Sequence, residues 1–75
     1  MLQTSGKIQI IHDEIESWKN TQYILEARLR VNKKIGDASQ VEKLTSDLVK
    51  VEEAIMEYEN ILKELQREDP TVESA

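Results

Sequence analysis

The chain has 75 residues, with 15 acidic and 10 basic side chains, a net charge of −5, one histidine, one proline, two glycines and no cysteine. This length allows one small domain with a marginal monomeric core, and the lack of cysteine removes disulfides, thiolate zinc sites and thiol nucleophiles. The acidic balance speaks against general nucleic-acid binding, which relies on Lys and Arg to neutralise phosphates.

Taken in chain order, residues 1–4 show no periodicity and are expected to be disordered. The opening stretch has no apolar signal region, and no run nears the about 20 apolar residues of a membrane span. A cytoplasmic setting is therefore expected. A first helical pattern runs from about 5 to 35. Ile8, Ile11, Ile15, Trp18, Leu25 and Leu29 step by three and four, and Gln22 and Asn32 fill the remaining places of that seam. This is a heptad series with two polar interruptions, which commonly set register and oligomer state.

Gly36 follows the last apolar residue of the first pattern, where a left-handed C-cap favours glycine, and Lys33 and Lys34 fall in the last turn, where the helix dipole favours cations. Downstream, Ser39 with Glu42 reads as a capping box, and Asp37 with Gln40 offers a competing start. The heptad phase also changes here. A coil continued from Leu29 would return to its core at Gly36 and Lys43, whereas the next seam uses Val41 and Leu44. A tight turn at 36–39 is expected in place of one long helix.

The second pattern runs from about 39 to 67 and fills every seam position with an apolar body: Val41, Leu44, Leu48, Val51, Ile55, Tyr58, Leu62 and Leu65. Beyond it, Pro70 stops the helix and residues 69–75 read as a disordered tail. The fold class expected is all-α: a two-helix antiparallel hairpin, spanning residues 5–68, that assembles into an oligomeric helical bundle.

Assembly is expected because the first helix carries a second apolar stripe. Ile10, Ile24, Val31 and Ile35 lie about 120–140° round the helix from the main seam, with Ser17, Thr21 and Ala27 beside them. Two hairpins forming a dimeric four-helix bundle, or a tetramer, would cover both stripes. The expected interface is Ile10, Ile24, Val31 and Ile35, with Gln22 and Asn32.

Catalytic chemistry finds little support. His12, Asp13, Glu14 and Glu16 form the densest polar cluster, yet one histidine in the chain is poor provision for a transition-metal site or a Ser/His/Asp set. Asp13-x-x-Glu16 echoes one acidic pair of the MazG-type all-helical pyrophosphatases, but their second pair has no match. Thr45-Ser46-Asp47-Leu48-Val49 lacks the Gln-Glu pair of the small hairpin phosphatases of sporulation. In build alone the chain resembles the Rop-type plasmid regulators, short acidic hairpins that dimerise. No catalytic residue, metal site or cofactor is expected, and the chain is read as a non-enzyme.

Charge gives more. Arg28, Arg30, Lys33 and Lys34 lie in a stretch from 27 to 36 without an acid, while acids dominate from Glu52 onward. An antiparallel hairpin then has a basic turn end and an acidic free end. The basic end, with Tyr23 as a stacking aromatic, is the candidate site for an anion or an acidic protein surface. The function expected is a small regulatory or inhibitory protein-binding module. The alternatives are a protein sequestering an anionic, nucleotide-like small molecule at subunit junctions and a purely structural coiled-coil element.

Overall fold

A computed structural model describes residues 3–68. Two helices make up the fold, α1 (Thr4–Ile35) and α2 (Ala38–Glu68), and they pack against each other as a hairpin. Met1, Leu2 and the tail expected at 69–75 lie outside the described residues. Helix α1 starts one residue earlier than the periodicity suggested, with Gln3 in an extended conformation at its N-cap and no side-chain capping bond.

The turn shows why the chain reverses here. Gly36 has φ 80°, ψ 26°, the left-handed conformation that L side chains disfavour. The Asn32 carbonyl accepts hydrogen bonds from both the Gly36 and Asp37 amides, each at 3.0 Å, which closes the helix end in Schellman fashion. Asp37 then caps the next helix: its Oδ1 accepts from the Gln40 amide at 3.1 Å, and its carbonyl accepts the first bond of α2 from Val41. Of the two starts open to the sequence, the Asp37 one is used, so α2 begins at Ala38 and Ser39 sits inside its first turn. Once Gly36 has turned the backbone, Asp37 is already placed with its carboxylate over the exposed amides, and no further linker is needed.

Two predictions test this turn. A Cβ on Gly36 would meet nothing within 4 Å, so Gly36→Ala should cost only the backbone conformational energy, about 1–2 kcal/mol, read by urea unfolding. Asp37→Ala should lose about 1 kcal/mol by removing the cap, whereas Ser39→Ala should be near neutral in the same assay.

Packing follows the two seams. Leu25 of α1 and Leu44, Leu48, Val51 and Ile55 of α2 form the central buried cluster, and Trp18 and Leu29 pack against it half-buried. Ile8, Ile15 and Leu65 are buried further toward the free ends. Gln22 and Asn32 occupy the same seam, also half-buried, and the Asn32 amide donates back to the Arg28 carbonyl at 2.8 Å.

One layer of contact between two rods makes a thin core. Among the described residues no large side chain is fully enclosed, and even Val51, the best covered of the core, keeps 5 % of its surface. The molecule measures 52 × 22 × 14 Å, with a radius of gyration of 16.6 Å. A compact domain of this length would have roughly 11 Å. The shape follows directly from helices of ~48 Å laid side by side at 1.5 Å per residue.

Candidate functional site

Helix α1 is what positions the candidate residues. Thirty-two residues of continuous helix, held by α2 along one face only, leave the other faces of a stiff rod in water. Ile10, Ile24, Val31 and Ile35 lie on such a face and are between 47 % and 69 % exposed. Helix α2 contributes two more exposed apolar side chains, Val49 and Met56, away from its seam. Gln22 and Asn32, from the seam series of α1, are half-buried, and Asn32 also lines the small groove at the turn.

The basic end is only partly brought together. An open groove of about 890 Å³ runs along the last turns of α1, lined by Arg30, Lys33 and Lys34 together with Val31, Ile35, Leu29, Glu26 and α2 Leu48. Three of the four expected cations thus share one concavity with two residues of the exposed apolar face. Arg28 and Tyr23 are not among its lining residues; Tyr23 stands 73 % exposed on the outer side of α1. A smaller groove at the turn, lined by Asn32, Lys33, Gly36, Ala38, Val41 and Glu42, adjoins the same end.

That apolar side chains and cations meet in one groove was not legible in the residue spacing alone, because the groove also needs Leu48 from the other helix. The only signal available was that Arg30, Val31, Lys33, Lys34 and Ile35 are consecutive or nearly so in sequence.

The charge asymmetry is carried along the long axis. The half nearer the turn, residues 20–52, has six basic and five acidic side chains, a net +1. The half nearer the free ends, residues 3–19 with 53–68, has four basic and eight acidic, a net −4. The net charge therefore changes sign from the turn half of the hairpin to the free-end half. At physiological salt this matters for partners within a Debye length, about 8 Å.

His12, Asp13, Glu14 and Glu16 lie exposed within little more than one turn of α1, and among the described residues no three His, Asp or Glu side chains converge as a metal-binding group. Gln9 donates to Asp13 at 3.0 Å across one exposed turn, as an ordinary helix-surface pair. Also among the described residues, no helix is long and apolar enough to cross a membrane.

Comparison with protein-family models, with curated proteins and with solved structures gives no significant match to this chain.

Proposed function

We propose that the chain is a non-catalytic protein-binding module, a self-associating helical hairpin that acts as a small regulator or inhibitor by occupying another protein. The observation that carries this reading is the exposed apolar face of α1 formed by Ile10, Ile24, Val31 and Ile35. A thin two-helix core gains from covering that face, and a rigid helix presenting apolar anchors along one face is a common way to engage a second helical surface. The basic end at Arg28, Arg30, Lys33 and Lys34 then supplies orientation and speed of encounter with an acidic surface.

A second reading rests on a different observation, the groove in which Arg30, Lys33 and Lys34 sit beside Val31 and Ile35. Cations over apolar walls suit an anionic small molecule with a flat, partly apolar body, such as a nucleotide. Native mass spectrometry of the purified full chain separates the readings. Homo-oligomers free of bound small molecules fit a binding module or a purely structural element, and a stoichiometric mass of several hundred daltons on the oligomer favours sequestration.

The sequestration reading makes a specific prediction. With a fluorescent nucleoside triphosphate as probe, Arg30→Glu combined with Lys33→Glu should weaken binding about tenfold or more. Tyr23→Ala, outside the groove, should leave it unchanged. Equal loss from both variants would contradict the groove as the binding place.

A further inference from the structure

The exposed face of α1 has an internal order that the single hairpin does not use. It includes two columns at seven-residue spacing, Ile10, Ser17, Ile24 and Val31 in one and Glu14, Thr21, Arg28 and Ile35 in the other. All eight are exposed. Seven-residue columns run alongside the main seam and drift with it, so they can follow a partner helix over their whole length.

We propose that this face binds a second copy of the chain with the two α1 helices antiparallel, related by a two-fold axis beside Thr21. This rests on the self-association read above and adds its direction. Reversal about the midpoint between Asn20 and Thr21 brings Ile10 opposite Val31 of the second copy, and Ser17 opposite Ile24 of the second copy, a small residue facing a large one. In the neighbouring column Glu14 comes within one residue's rise, about 1.5 Å, of facing Arg28 of the second copy, and the symmetry makes that pair twice. Self-complementarity under reversal is what an isologous two-fold contact requires.

The parallel arrangement has the opposite electrostatics. It sets Glu14 against Glu14 and Arg28 against Arg28, and it lays basic turn end on basic turn end and net −4 on net −4. The antiparallel one lays each basic turn end along the acidic free end of the other hairpin and opposes the helix dipoles. Thr21 can be covered at the axis without an orphaned donor, because its hydroxyl donates to the Ser17 carbonyl at 3.2 Å within the helix. Charge complementarity along 52 Å of molecule and the size matching in the columns point to the same occupant.

The chain has no cysteine of its own, so cross-linking can be read without background. Full-length Ile10→Cys and Val31→Cys variants are oxidised separately and as a mixture, and the products are weighed by mass spectrometry while wild-type chain is sedimented in parallel. Both positions are exposed on the hairpin, so folding is not at stake. The expected result is a mixed disulfide between the two variants and little disulfide from either alone. Self-linked Ile10→Cys or Val31→Cys dimers would overturn the antiparallel direction and leave self-association standing. A wild-type dimer in sedimentation with no disulfide from any sample would likewise overturn pairing through this face. A wild-type chain that sediments as a monomer throughout would remove the self-association reading and this inference with it. Independently, Glu14→Arg and Arg28→Glu should each weaken dimerisation about tenfold, and combining them should restore it to within about threefold; failure of the double variant to recover would contradict the Glu14–Arg28 pairing.

Discussion

Leu48→Ala is expected to destabilise the hairpin by about 2–3 kcal/mol. Leu48 belongs to the central cluster with Leu25, Leu44, Val51 and Ile55, and it also forms the α2 wall of the basic groove. Truncation removes buried apolar surface and leaves space that the neighbours fill only in part. The lower part of the usual range for such changes applies, because a single layer between two helices can close up more readily than an enclosed core. For a chain of this size that loss lowers the unfolding midpoint by roughly 10–20 °C. Circular dichroism on wild type and variant at matched concentration measures it, since any assembly adds a concentration-dependent term. An unchanged midpoint would mean that the helices do not pack along this seam.

The second large effect is on association. Val31→Asp places a carboxylate on the exposed apolar face, and two-fold symmetry places it there twice. In the isolated hairpin the position is open to water, so helix content should not change. In an assembled pair the charge must lose its water against Ile10 of the other copy, and the dissociation constant should rise at least about a hundredfold. Thermal unfolding supplies the check. The wild-type midpoint should climb with protein concentration, as mass action requires of an assembly that supports its own fold, and the variant midpoint should stay flat. Parallel, concentration-dependent curves for both would contradict the assignment of this face.

Much of the fold was legible in the residues because two independent signals agreed. The seams of Ile8 to Leu29 and Val41 to Leu65 each gave a helix, and Gly36 marked the reversal through a conformation that few other residues accept. The competing caps were different. Asp37 with Gln40 and Ser39 with Glu42 satisfy the same pattern, and only the placement of the carboxylate after the left-handed turn decides between them. Trp18 shows a related limit: its place in the seam was evident, but a two-helix seam covers only part of a large ring, and it remains half-buried.

The candidate site was legible in parts. Exposure of Ile10, Ile24, Val31 and Ile35 followed from their position on the wheel relative to the main seam. The grouping of Arg30, Lys33 and Lys34 without Arg28 or Tyr23 did not, because it depends on which flank of α1 each side chain leaves from and on Leu48 across the hairpin. Charge counted along the chain shows a basic stretch and an acidic one. Folding the chain back on itself turns those stretches into opposite ends of one rod.

Sedimentation velocity of the full wild-type chain across a concentration series into the micromolar range reads self-association itself. A species of at least twice the 8.7 kDa chain mass, growing with concentration and lost in Val31→Asp, is the predicted result. A wild-type chain that stays at 8.7 kDa at every concentration would contradict it.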